Sequence, residues 1–431
     1  MPGVSRTATT QRAFVVGGGI VGACCALALQ RRDFEVTLID KDAPGHAASF
    51  GNSAIVGLAS IPPLGMPGML RDLPRMLRDP LHPLTISLRH LPETLPWLIR
   101  FRRALAPRRV EAIAKARAGL LAHSGIAWES LLNEICRPEL IRKTGLIVAY
   151  ESRSTFEAAA NGLALRRRYG VEAQELGGPA LRELEPAISD RVTCGVHYPV
   201  VRTVTDPLAL TQAIVDALRA RGGRVLRETV RGFERAQSHV RQIMTDAARH
   251  DCDLVVIAAG AWSRRLVAQL GEPVSLIAER GYHIMILDAP HTPAIPVLAG
   301  DRNVSIVTLA TGLRMTTGAE LTAIEAPPNH AWALRMFRAA APVIRGLQLN
   351  VASDWMGSRP STPDSLPVIG RSRCLRNVLY AFGHGHLGLT FGAVTGAIVG
   401  TLARDESPNI DITPYRPDRA FDGSHLTARA V

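Results

Sequence analysis

Gly17, Gly19 and Gly22 stand in G-x-G-x-x-G spacing behind the apolar run "AFVV", and Asp40 ends the next apolar stretch, "EVTLID". The chemistry of that spacing is specific. Gly17 permits a tight strand-to-helix turn, Gly19 lets the backbone approach a pyrophosphate, and Gly22 lets helix and strand pack closely. The helix start offers N–H groups and a positive dipole end to phosphate. A carboxylate at Asp40 accepts hydrogen bonds from a ribose diol and repels a 2′-phosphate. A lone glycine fingerprint says little, but one framed by strand, helix, strand and terminal acid marks a dinucleotide site. A second candidate is Arg359, in "GSRP". Its planar, permanently charged guanidinium suits bidentate binding of a carboxylate. Tyr282 and His283 follow a glycine on an apparent strand, so alternation turns one of them toward a cavity, Tyr282 as a hydrogen-bonding wall. His384 and His386, in "GHGHLG", read as positioning groups of a turn.

These residues need elements to hold them. "AFVVGGGIVGACCALALQRRDFEVTLID" has enough uncharged residues to approach a membrane span, but three early glycines and a β-like second half favour strand, helix, strand. Residues 61–125 carry prolines at 62, 63, 67, 74, 80, 83, 92 and 96, which predict short helical pieces before a longer helix from about Val110. The dinucleotide fold is therefore interrupted. It resumes over 221–266, with three β-like pieces ending in "DLVVIAAGAWS" and a turn at Gly260. Near the C-terminus "NVLYAF", the glycine-rich turn and a long uncharged helix follow. Gly392, Gly396 and Gly400 repeat at i, i+4 on that helix, a pattern of membrane helix pairs, yet its length favours a buried helix lying against the nucleotide domain.

A chain of 431 residues with 47% hydrophobic and 20% charged residues suits two globular domains. The six cysteines form no CxxC and no Cys/His cluster, so no metal site is expected. The first dozen residues lack a secretory leader's apolar core, and the expected location is the cytoplasm. The net charge of +12 suggests an anionic partner. All but Lys41, Lys115 and Lys143 of the 50 basic residues are arginine. Over 70–118 basic residues outnumber acidic ones eleven to four, which raises peripheral contact with the inner face of a membrane as an expectation. With 5% aromatic residues and no RNA-binding motif, nucleic acid is not an expected partner.

Three blocks carry a resemblance: "VVGGGIVGACCALAL…VTLID", "DLVVIAAGAWS" and "GSRPSTPDSLPVIG…GHGHLGLT". Shorter matches are "ASFGNSA", "ERGYHIMI" and "TTGAEL". Over about 14–403 the chain resembles the FAD-dependent D-amino-acid dehydrogenases, within the D-amino-acid oxidase and glycine/sarcosine oxidase superfamily. The resemblance implies an α/β fold with a discontinuous Rossmann-like FAD-binding domain (12–61, 204–272 and 351–431). A substrate domain (62–203 and 273–350) would carry a mainly antiparallel sheet and an inserted helical segment.

It implies FAD held by Gly17, Gly18, Ile20 and Val21 at the pyrophosphate and by Asp40 at the adenosine ribose, with Gly19, Gly22 and Lys41 as further cofactor-binding residues. Ser49, Asn52 and Ser53 would lie near the flavin, and Val230 would hold the adenine beside Gly260 and Trp262. The turns at Gly357 and at His386, Leu387 and Gly388 would bracket the ring. Arg359 would grip a substrate carboxylate, with Tyr282 and His386 as further catalytic candidates. The family commonly has glycine where this chain has Ala54, so the early loop departs from the pattern there. The implied reaction is oxidation of a small D-amino or imino acid, with electrons passed to a quinone or other acceptor. An oxidase using O2 is the nearest alternative, and an RNA-modifying flavoprotein a more distant one.

Overall fold

The computed structural model describes residues 10–69, 78–422 and 425. Strand β1 (Arg12–Val16) enters helix α1 (Ile20–Gln30), and β2 (Glu35–Asp40) returns parallel to β1. The turn between β1 and α1 requires glycine. Gly17 has φ +114°, and a Cβ there would lie 2.4 Å from the Ala258 carbonyl oxygen. At Gly22 a Cβ would lie 1.8 Å from the Gly17 carbonyl oxygen, so only glycine lets the helix seat on its own turn.

β1 and β2 sit inside a six-stranded sheet ordered 224–227, β2, β1, 254–257, 378–382, 368–371. Every pairing is parallel except the last, between 378–382 and 368–371. The sheet thus gathers strands from the beginning, middle and end of the chain. Between 224–227 and 254–257 lies a three-stranded antiparallel meander, 230–236, 239–245 and 249–251. The sequence suggested three β pieces here; there are five. Their mixed acid–base, solvent-facing pattern obscures the two hairpins, one of which turns through Gln237 at φ +52°.

Ten of the eleven α1 residues are buried. Each fully buried leucine there contributes about 1.5–3 kcal/mol. Much of the covering comes from the apolar helix near the C-terminus, Gly388–Ala403. A Cβ on Gly396 would lie 2.7 Å from the Cys24 carbonyl oxygen, and one on Gly400 3.2 Å from that of Ala28. The glycine stripe is the seam between these two helices. Gly385–Ala403 is long and apolar enough to cross a membrane, but most of it is buried in the protein.

The basic insert contains α2 (Leu91–Ala104) and α3 (Pro107–Glu134). Prolines were expected to cut the first of these short. Pro92 instead sits in the first turn, where no N–H is needed, and Pro96 is accommodated inside the helix. Part of this segment, 70–77, lies outside the described residues.

A nine-stranded sheet forms the other half. Its central members are β3 (Ile277–Ile286) and β4 (Gly312–Leu321), with β5 (Val351–Ser361) at one end, paired along β3. Beyond β4 come 304–309, 297–299, 147–150, 194–197 and 174–177. All pairings are antiparallel except 297–299 with 147–150 and 84–86 with β4. The sequence reading is corrected at β5. It placed 351–361 with the nucleotide domain and took "GSRP" for a turn, whereas these residues lie inside an eleven-residue strand of the large sheet. Pro360 fits because β5 is the edge strand, where a missing ladder donor does no harm.

Candidate active site

A cavity of about 400 Å³ opens where the strands of the parallel sheet end beneath one face of the large sheet. At its nucleotide end the start of α1 faces in through Gly17, Gly19, Ile20 and Val21. The Ile20 amide is bonded to Ser49 Oγ at 2.8 Å, so the early loop covers part of the expected anion site. Asp40, at the end of β2, accepts from Gly18 N at 2.6 Å and from Asp42 N at 2.9 Å. Burial raises its pKa above the usual carboxylate range, and these two amides oppose that. Lys41 Nζ stands 5.0 Å from the centre of the Trp262 ring, closing the same end beside Val230 and Gly260.

Several candidates fall outside the cavity lining. Gly18, Gly22, Ser53 and Leu387 do not line it, whereas Leu389 does. Tyr282 is a clearer correction. It lies on the far face of β3, against Trp332, with its hydroxyl bonded to Glu320 and to Asn329 N. Burial first, and then Glu320, push its pKa up to about 12. It is a core tyrosine, not a wall of the cavity.

The opposite face of β3 carries Glu279, Gly281, His283 and Met285, and it looks onto the nucleotide half. His283 Nδ1 meets the Gly51 carbonyl at 3.1 Å. From β4, Arg314 Nη1 donates to the carbonyls of Phe50 at 2.8 Å and Asn52 at 3.0 Å. Three successive carbonyls of the early loop are thus latched to the large sheet. Burial lowers His283 to a pKa of about 4 and Arg314 to about 10, so the imidazole is neutral and the guanidinium charged near pH 7. Trp355 stacks on His283 with ring centres 5.2 Å apart and lies flat over Gly51 and Gly357. At the end of the loop Ala54 is fully buried at φ +56°, in the left-handed region that favours glycine.

Arg359 closes the far end of the cavity. Its Nη1 donates to the Gly318 carbonyl at 2.5 Å and to Glu279 Oε1 at 3.2 Å. A Cβ on Gly281 would lie 2.0 Å from Arg359 Nη2, so the bare backbone of β3 is what gives the guanidinium its place. Glu279 is completely buried and also accepts from His386 Nε2 at 2.8 Å and Ser361 Oγ at 2.7 Å. Burial pushes its pKa up, but His386, Arg359 and Ser361 outweigh burial and bring it to about 2. His384 is turned away, with Nε2 on Thr395 Oγ1 at 3.0 Å, and burial lowers it to about 3.

A family described as "DAO: FAD dependent oxidoreductase" matches residues 12–402. The chain belongs to this family. A protein of Bradyrhizobium diazoefficiens named D-amino-acid oxidase is 35% identical over 94% of this chain and 98% of its own. A D-amino acid dehydrogenase 2 of Mesorhizobium japonicum is 27% identical over 92% and 97%. Among solved structures, glycine oxidase from Geobacillus kaustophilus matches with a TM-score of 0.74 at 22% identity, covering 95% of this chain and 99% of its own. L-amino acid deaminase from Proteus myxofaciens matches with a TM-score of 0.70 at 16% identity, covering 97% and 95%.

As a member of the DAO family the protein is an FAD-dependent oxidoreductase. The cavity fits FAD: a helix start for the pyrophosphate, Asp40 for a ribose, and a slot before Gly260, where even a Cβ would meet nothing within 4 Å. In this DAO-family site Glu279, Arg314 and Trp355 went unremarked in the sequence. Glu279 and His283 flank Gly281 at even spacing within "ERGYH", and that alternation was the available signal.

Proposed function

We propose that this DAO-family enzyme oxidises small D-amino or imino acids, converting the Cα–N bond to an imine that, where acyclic, hydrolyses to a 2-oxo acid and ammonia. The observation that carries this reading is Arg359. Its guanidinium lines the cavity with Nη1 anchored on Glu279 and Gly318, and Nε and Nη2 are the donors assigned to a carboxylate in this reading. Bound FAD supplies the two-electron acceptor. The protein's part is placement: Arg359 fixes the acid end, and the roof of β3 and β5 excludes water. The names of the relatives, D-amino-acid oxidase and D-amino acid dehydrogenase, support the D configuration.

We place the electrons on a quinone or similar acceptor, the reading that the dehydrogenase relatives support. The oxidase name of the 35% identical relative favours O2 as a second reading. A screen of D- and L-amino acids, hydroxyprolines and sarcosine with a dye acceptor, then with O2, tests both. Turnover confined to L-amino acids overturns the substrate assignment. One peroxide formed per substrate overturns the quinone assignment.

The location proposed is the cytoplasm, with contact at the membrane's inner face. Exposed Leu95 and Ile99 on α2, beside Arg100, Arg102 and Arg103, support that contact. Failure to float with anionic liposomes at low salt ends that idea.

A further inference from the structure

Glu279 is a fully buried carboxylate behind the cavity lining, and three side chains converge on it: Arg359, Ser361 and His386. An ionised carboxylate only accepts hydrogen bonds, so the His386 nitrogen that meets it, Nε2, carries the hydrogen. In the neutral ring the lone pair is then on Nδ1. Among the described residues nothing is bonded to Nδ1, and His386 lines the cavity with 42% of its side chain exposed. Arg359 and His386 share one Glu279 oxygen, which sets their nitrogens within about 6 Å of each other. Both residues line the cavity, so an α-amino acid whose carboxylate rests on Arg359 shares that space with the His386 ring.

An amino acid arrives as an ammonium, and its nitrogen has no lone pair to form C=N until a proton leaves. We propose that His386, held and oriented by Glu279, takes that proton. The N–H bond of the substrate ammonium breaks, a new N–H bond forms at Nδ1, and the freed lone pair stays on the substrate nitrogen. The resulting imidazolium is paired with the Glu279 carboxylate, as a general base with a charged orienting partner requires. His386 is the catalytic residue in this step and Glu279 the positioning residue. Among the described residues, the charged groups paired around the ring are Glu279 from β3 and, through it, Arg359 from β5; His384, on the same turn, is directed at Thr395 instead.

This proposal rests on the amino-acid reading above, and one experiment separates the two. The FAD-loaded enzyme is mixed without oxygen with its best amino acid, and flavin bleaching is followed against pH. His386→Gln is expected to slow bleaching about 100-fold near pH 7. The deficit should vanish above the pKa of the substrate's own ammonium, where the proton is already gone. Glu279→Gln should show a smaller deficit with the same recovery. Binding of propionate, which has the acid but no amine, should be within about threefold of the parent in His386→Gln, because the carboxylate contact is Arg359's. Equal impairment of His386→Gln at every pH, or loss of propionate binding in step with the rate, overturns the pair alone. A parent enzyme bleached by no amino acid overturns the substrate reading and the pair together.

Discussion

Two residues carry most of what can be tested one side chain at a time. Arg359→Met keeps the bulk of the stem and removes the fork, so KM should rise by two or more orders of magnitude while FAD stays bound; steady-state kinetics with the flavin absorbance spectrum checks both. Unchanged KM for every substrate would remove Arg359 from its role. Ala54 is the second. A left-handed backbone is tolerable for alanine and poor for a β-branched residue. Ala54→Val should therefore lower stability by about 2 kcal/mol or more, whereas Ala54→Gly should stay within about 1 kcal/mol, as read by denaturant unfolding.

At the scale of elements, β3 and β4 act as a clamp on the early loop. Arg314→Met leaves the Phe50 and Asn52 carbonyls without their donor, and FAD affinity should fall tenfold or more in a dialysis and fluorescence titration. The legibility of the sequence also divides by element. The strand–helix–strand start was readable because its glycines, helix and terminal acid obey one strict geometry. The broken nucleotide sheet was readable because two of its later parallel strands, 254–257 and 378–382, are short, wholly apolar runs. β5 was not, because "GSRPSTP" has the composition of a turn and only tertiary context reveals an edge strand. Had it been read as a strand, period-two alternation would have put Trp355, Gly357, Arg359 and Ser361 on one face. The partner of Arg359 was hidden for a related reason. Glu279 faces Arg359 across a pairing between residues 80 apart, and no local pattern marks which acid will end up buried. Tyr282 failed for want of phase: alternation says that neighbours point oppositely, not which one points in.

For the whole molecule, two buried neutral histidines contribute to the response to acid. His283 and His384 have folded pKa values lowered by burial to about 4 and about 3. In the unfolded chain each takes a proton near about pH 6.5, so below that pH the unfolded state binds more protons. Their contribution is intact above pH 6.5 and is lost as pH falls from there toward 4 and 3. The melting temperature should drop steadily across that window, and His283→Gln should flatten the drop. A melting temperature constant from pH 7 to 4 would contradict the buried, neutral state of both rings.

The seam between α1 and the apolar helix near the C-terminus has a consequence for synthesis. A ribosome releases α1 hundreds of residues before its glycine-striped cover exists, so the nascent chain carries a greasy, uncovered surface through most of translation. Chains stopped short of residue 388 should collect in inclusion bodies, and yields should respond to chaperone supply more than to added riboflavin. Loading of the yellow cofactor then has to wait until the last tenth of the polypeptide has emerged.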